Sequence, residues 1–107
     1  MELEQYSIVL VNLDPTIGSE IKKTRPCVIV SPNEINKFLR TIVVAPMTTN
    51  LKNYPTRIKV KHNEKKGMIA IDQIRSIDKS RIIKKFDQLS KSEIQKCKDI
   101  IRETFVD

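Results

Sequence analysis

Three stretches of the 107-residue chain hold side chains whose types and spacing suit chemistry on an anionic partner. The polar run from Asp14 to Arg25 contains Gly18, Ser19, Glu20, Lys22, Lys23 and Thr24, and leads directly into the apolar run Pro26-Cys27-Val28-Ile29-Val30. That arrangement mounts a guanidinium and a carboxylate at the lip of a rigid element, which can hold their geometry. A plain connecting loop with an Arg–Glu surface pair fits the same residues. Thr48, Thr49 and Asn50 follow a second apolar run and offer hydroxyl and amide groups, which also serve ordinary turns. Asp72, beside Gln73, is a carboxylate inside the otherwise apolar stretch Met68 to Ile74. If buried it needs a partner, so an ion pair with an Arg or Lys and a functional role are both open.

Other chemistries lack the residues. Tetrahedral zinc needs clustered Cys and His, and Cys27, His62 and Cys97 are far apart in sequence. No metal site and no cofactor are expected. The single His gives no support for a Ser or Cys triad, and Gly18 and Gly67 stand alone instead of forming a phosphate loop. His62 reads as a turn residue, and the two cysteines as reduced, small core residues.

Short strands and one helix must position these groups. Tyr6 to Leu13, Pro26 to Ser31 and Thr41 to Met47 are apolar runs bounded by turn signals, and each is expected as a strand. Pro26 is expected at the first position of its strand, where a missing N–H costs least. Asn33 to Leu39 suits a short helix. Thr56 to Lys61 alternates strictly, with Ile58 and Val60 inward and Arg57, Lys59 and Lys61 outward. His62 to Gly67 reads as a turn, Met68 to Ile74 as a strand, and Arg81 to Phe86 as a last short strand. Ser90 to Phe105 is the clearest helix. Ser90 and Glu93 have capping-box spacing, Leu89 and Ile94 the spacing of a hydrophobic staple, and Ile94, Cys97, Ile101 and Phe105 fall on one face. Five to seven strands and a terminal helix predict a mainly β, barrel-like α+β domain spanning residues 1–107.

Twenty Lys and Arg against thirteen Asp and Glu leave a net charge of +7. Residues 1–53 hold six basic and five acidic residues, so residues 54–107 hold 20 − 6 = 14 basic and 13 − 5 = 8 acidic. The excess is concentrated around Lys52, Arg57, Lys59, Lys61, Lys65 and Lys66. Such a balance favours a polyanionic partner; a solvated Lys-rich face is the alternative. Apolar runs are too short to span a bilayer, and the acidic N-terminus has no apolar signal region. A cytoplasmic protein is expected.

Several strings together resemble the MazF/PemK/Kid toxins. They are Asn12-Leu13-Asp14-Pro15-Thr16-Ile17-Gly18-Ser19-Glu20, then Lys23-Thr24-Arg25-Pro26-Cys27-Val28-Ile29-Val30-Ser31-Pro32, then Val43-Val44-Ala45-Pro46-Met47-Thr48-Thr49. Asn53-Tyr54-Pro55 and Ile71-Asp72-Gln73-Ile74-Arg75-Ser76-Ile77-Asp78 follow in the family's order. The resemblance covers nearly the whole chain. It implies a small SH3-like β-barrel of the CcdB/MazF type with a C-terminal helix, working as a homodimer. It implies sequence-specific, metal-independent cleavage of single-stranded RNA, including mRNA, and a cognate antitoxin.

By this resemblance the catalytic residues are Arg25, Thr48 and Glu20. The RNA-binding residues are Gly18, Ser19, Lys22, Lys23, Thr49, Asn50, Lys52, Arg57, Asp72 and Gln73. A CcdB-like gyrase poison without nuclease activity, or a binding-only relative, is the competing expectation. The chain departs from the Kid-like branch at Ser19, where that branch has His, and at Ala70, where it has Arg. A scheme built on those two groups cannot operate here.

Overall fold

The computed structural model describes residues 2–14, 18, 23–52, 54–62 and 65–106, the side chain of Lys65 excepted. The described strands are β1 (Ser7–Asn12), β2 (Thr24–Ile29), β3 (Thr41–Thr48), β4 (Arg57–His62), β5 (Lys65–Ala70), β6 (Arg75–Asp78) and β7 (Ile82–Gln88). Helix α1 spans Asn33–Phe38 and α2 spans Lys91–Phe105. Every strand pair is antiparallel, in the order β4-β5-β3-β2-β1-β7 with β6 also on β3. The mainly β, α+β expectation holds.

β3 organises the sheet. One edge takes β2, through Cys27↔Pro46, Val28↔Ala45 and Ile29↔Val44. The other edge is shared. Met47 and Thr48 pair with β5, and Thr41 to Val44 pair with β6. Between them the chain leaves the edge in a 3-10 turn, Ile71–Gln73, opposite Ala45 and Pro46. The strand expected over Met68 to Ile74 is thus two strands and a turn, and Asp72 lies in the turn, exposed. The expected turn over His62 to Gly67 is also shorter, since β4 includes His62 and β5 begins at Lys65. Pro26 is the third residue of β2, not the first, and sits opposite Leu10.

The central strands are buried on both faces, which explains their near-continuous apolar sequence. Val9, Val11, Leu13, Cys27, Ile29, Ile42, Val44 and Ile77 fill one side. Ile8, Val28, Ala45, Met47, Ile58, Val60 and Ile69 fill the other, where α2 packs through Cys97, Ile94 and Ile101. The helix starts as its sequence dictates. Glu93 N–H donates to Ser90 Oγ at 3.2 Å, and Ser90 N–H to Glu93 Oε1 at 2.9 Å. Phe105, expected on the buried face, is exposed because α2 outruns the core. No helix among the described residues is long and apolar enough to cross a membrane.

Burial disarms both thiols. Cys27 and Cys97 are fully buried, and desolvation pushes each pKa up to about 12, with Arg75 opposing the rise at Cys27 and Glu93 adding to it at Cys97. Asn36 and Ser31 form a buried polar knot. Asn36 Nδ2 donates to the carbonyls of Leu3 and Ser31, both at 2.9 Å, and Ser31 Oγ donates to Asn36 Oδ1. This knot ties the N-terminal segment to α1.

Candidate functional site

β2 and β3 bring the two best-placed candidates to one end of the sheet. Arg25 is the second residue of β2, half-buried, and Thr48 is the last of β3, half-buried. The β2–β3 register ends at Cys27↔Pro46. Counted two residues further on each strand, it brings Arg25 level with Thr48. Thr48 Oγ1 accepts the Asn50 N–H at 3.2 Å. A hydroxyl that accepts from one side keeps its own hydrogen for another acceptor. Asn50 Oδ1 in turn accepts the Lys52 N–H at 3.1 Å. Two successive side-chain turns thus shape the segment carrying Thr49, Asn50 and Lys52, all exposed.

The loop ahead of Arg25 is closed at its root. Asp14 Oδ1 accepts the Lys23 N–H at 2.9 Å, and Leu13 N–H donates to the Lys23 carbonyl at 3.0 Å. Lys23 has a φ of 70° there and Gly18 one of 63°, the left-handed region that a Lys enters only at a cost. Two arginines hold the carbonyls beside this closure. Arg75 Nη1 donates to Leu13 at 3.2 Å, and Arg81 Nη1 donates to both Asn12 and Asp14. No local pattern signals this role for either arginine, although Arg75 stands in one of the matching strings. Ser19, Glu20 and Lys22 lie outside the described residues.

A second group gathers at the 3-10 turn. Arg57 Nε and Nη2 reach Asp72 Oδ1 and Oδ2 at 2.9 and 3.2 Å, and Thr56 Oγ1 donates to Asp72 Oδ1 at 2.9 Å. Partial burial opposes the charge on Asp72. The hydrogen bonds from Arg57, Thr56 and its own backbone, with the Arg57 charge, outweigh that and hold its pKa below the usual value. The Tyr54 ring lies 5.2 Å from the Arg57 guanidinium. Of the two readings open for Asp72, the ion pair is therefore present. Arg57, expected outward with Lys59 and Lys61, is turned to this carboxylate. With Pro55 and Gln73 these residues line a hollow of about 420 Å³, which shares no lining residue with the cavity beside Thr48.

That cavity, of about 230 Å³, has no signature in the sequence. Buried Met47 and Val60 line its interior, with half-buried Pro26, Thr48, His62, Gly67 and Phe86, and exposed Thr49 and Lys66. His62, expected in a turn, closes β4, and its ring meets Phe86 edge-on at 4.9 Å between centroids. Lys59, Lys61, Lys66 and Lys96 border an adjacent groove of about 520 Å³ against the start of α2. Among the described residues no three His, Cys, Asp or Glu side chains gather as a metal-ligand group.

A barrel-like sheet of antiparallel strands with a C-terminal helix, and with a groove bordered by lysines, defines the class as a small mainly β protein whose charge suits a polyanion. Comparison with known proteins then narrows it. Residues 4–105 match the family described as "PemK-like, MazF-like toxin of type II toxin-antitoxin system", and the chain belongs to that family. It is 31% identical over 105 residues to "Endoribonuclease MazF" of Staphylococcus saprophyticus, covering 92% of this chain and 88% of that one. The crystal structure of MazF from Deinococcus radiodurans superposes with a TM-score of 0.83 at 22% identity, over 94% of this chain and 93% of that one. A MazE–MazF structure from the same organism gives 0.79 at 22% identity, over 96% and 95%. The barrel with a C-terminal helix is thus the MazF fold.

Proposed function

We propose that the protein is an endoribonuclease toxin that cuts single-stranded RNA, such as mRNA, without a metal ion, and that a cognate antitoxin restrains it. Family membership and relatives that are endoribonucleases support this over a CcdB-like gyrase poison. The observation that supports the mechanism is the β2–β3 register, which ends at Cys27↔Pro46 and, continued by two residues on each strand, sets Arg25 level with Thr48.

RNA brings its own nucleophile, the 2′-OH beside the scissile phosphate. Its attack, with the 2′-OH proton passing to water, forms a 2′,3′-cyclic phosphate and breaks the bond to the 5′-oxygen, which takes a proton from water. Charge grows on the phosphate oxygens in between, and donors already in place stabilise it without reorganising. Arg25 is the phosphate clamp, because its fork matches two oxygens at once. Thr48 donates its hydroxyl to a non-bridging oxygen. Glu20 orients Arg25; the alternative, Glu20 as base, faces a carboxylate pKa far below that of a 2′-OH. Gly18, Ser19, Lys22, Lys23, Thr49, Asn50, Lys52 and Gln73 flank the strand of RNA, and Arg57 with Asp72 form an acceptor and donor pair for it.

The protein works as one domain and as a cytoplasmic homodimer, with RNA lying across both protomers. Structures of relatives with antitoxins support an antitoxin partner here. An acidic antitoxin segment competes with RNA for the groove bordered by Lys59, Lys61, Lys66 and Lys96, because the long-range field attracts phosphate and carboxylate alike.

The test is incubation with a long single-stranded RNA in excess EDTA. Discrete fragments ending in a 2′,3′-cyclic phosphate are expected, and a 2′-methoxy group at the cut nucleotide should block cutting but not binding. Cutting of that substrate at the normal rate would refute 2′-OH attack, and loss of all cutting in EDTA would refute metal independence.

A further inference from the structure

We propose that the free edge of β4 is a strand-docking site, where an extended acidic segment of the antitoxin pairs with the main chain of Lys59 and Lys61 and displaces the Glu93 carboxylate. The inference rests on the antitoxin partner of the proposed function and states how that partner is held.

Topology is the first argument. β4 and β7 are the two ends of the strand order, and no pairing joins them among the described residues. β4 therefore has a strand, β5, on one side only. In an antiparallel pair, alternate residues turn both backbone groups toward the partner strand, and the rest turn theirs away. Ile71 N–H donates to the Thr56 carbonyl at 3.0 Å, which sets the alternation. Ile58, Val60 and His62 then bond to β5, and Arg57, Lys59 and Lys61 face outward. Two outward donors are taken. Arg57 N–H meets the Tyr54 carbonyl at 3.0 Å, and Lys61 N–H meets Glu93 Oε2 at 3.4 Å. Among the described residues nothing takes the Lys59 N–H and carbonyl or the Lys61 carbonyl. Such an edge is a template for a further strand.

The second argument is a carboxylate already seated there. Glu93 reaches Lys61 from the first turn of α2 with Oε2, while its Oε1 accepts the Ser90 N–H. At 3.4 Å the Lys61 contact is longer than an ordinary N–H···O bond, so another acceptor can replace it at little cost. Lys61 and Glu93 line both the groove of about 520 Å³ against α2 and a second hollow of about 570 Å³ that reaches β7 at Lys85 to Gln88. Their contact is the partition between the two. Turning Glu93 aside opens one channel along the β4 edge.

The third argument is the chemistry of the two faces. Residues of an added strand lie beside those of β4 and share their alternation. Those beside Lys59 and Lys61 meet exposed ammonium groups, and Lys66 and Lys96 border the same groove. Those beside Val60 lie on the core face, where Ile8 and Phe86 line the second hollow. The fitting segment thus alternates acidic and apolar residues. RNA satisfies the charge but has no row of backbone amides to offer the edge.

The test uses the whole protein and a short synthetic peptide alternating Glu and Val, against a peptide of the same composition with Glu and Val in blocks. The alternating peptide should bind about tenfold more tightly. Methylating the backbone nitrogens of one alternate set of its residues should cost about tenfold, and methylating the other set less than about twofold, since only one set faces β4. Amide hydrogen exchange at Lys59 should slow about tenfold or more on binding. Glu93→Gln keeps the cap, because Gln also serves in a capping box, and removes a like charge, so it should tighten binding about threefold. Equal losses from the two methylated sets, no preference for alternation, or unchanged exchange at Lys59 would overturn strand docking. Unchanged affinity in Glu93→Gln would overturn the displacement of Glu93. The methyl scan alters only the peptide, so its result does not depend on the folding of any variant. Docking that leaves RNA cutting unchanged would support the added strand and refute the competition with RNA, and a protein that cuts no RNA would refute the endoribonuclease reading alone.

Discussion

At the scale of single residues, Arg25 and Thr48 have little packing to lose and much chemistry. Arg25→Ala and Thr48→Ala should leave the far-ultraviolet spectrum and melting temperature close to wild type while cutting falls. The loss of one donor aimed at a developing oxyanion is worth roughly a hundred- to a thousandfold in rate, and removal of the charged Arg25 should be the more costly. Single-turnover cleavage by the purified variants checks this, and near-normal rates for Arg25→Ala would remove it from the mechanism. The thiols invite the opposite expectation. With both cysteines buried and their pKa values pushed up to about 12, a thiol reagent at pH 8 should label neither in the native protein and both in guanidinium. Fast labelling of native protein, read by mass spectrometry, would contradict this burial.

At the scale of elements, the 3-10 turn between β5 and β6 is held by the Arg57–Asp72 pair, and the turn should respond to acid. Asp72 has a lowered pKa in the folded protein. Its contribution to stability is therefore complete above the unfolded value of about 3.9 and is lost as pH falls through the folded value. The carboxylate is about one-third open to water, so the effect stays below about 1 kcal/mol. Asp72→Asn should be less stable than wild type at pH 7 by that small amount, and the gap should close near pH 2. A constant gap across that range in urea denaturation would show that the ionised pair contributes nothing.

The loop root makes a second prediction at this scale. Arg81→Ala frees the carbonyls of Asn12 and Asp14, and it should lower kcat for RNA more than it raises KM, with a stability cost of about 1 kcal/mol. Equal changes in both constants would deny Arg81 a positioning role.

For the whole molecule, the question is where the basic charge acts. Arg57 is neutralised by Asp72, so reversing it would place two carboxylates together and confound folding with binding. Lys59, Lys61 and Lys66 border one groove and carry no such partner among the described residues. Replacing all three by Glu should weaken RNA and antitoxin binding together. The logarithmic salt slope for RNA should flatten by about 0.7 for each phosphate no longer neutralised. A folded triple variant with unchanged affinity and slope would assign these lysines to a solvated face.

Much of this is legible locally. The Ser90–Glu93 capping box, the alternation of Thr56 to Lys61 and the two-sided apolar runs of β1 to β3 each rest on contacts within a turn or on a strand's own period, so sequence alone determines them. The strings around Arg25, Thr48 and Asp72 likewise point to the family by residue type and order alone. What needed the tertiary structure depends on residues far apart in the chain. Met68 to Ile74 alternates like one strand, yet it breaks at Ile71 because two segments share the edge of β3 opposite Ala45 and Pro46. Asp72 then meets Arg57 across 15 residues, and Arg81 reaches Asp14 across 67. His62 has no local signal that distinguishes a turn from a cavity wall; Phe86 makes that choice from another strand. Local periodicity fixes which face of an element is apolar. Only the packing of the sheet decides which polar groups those faces bring together.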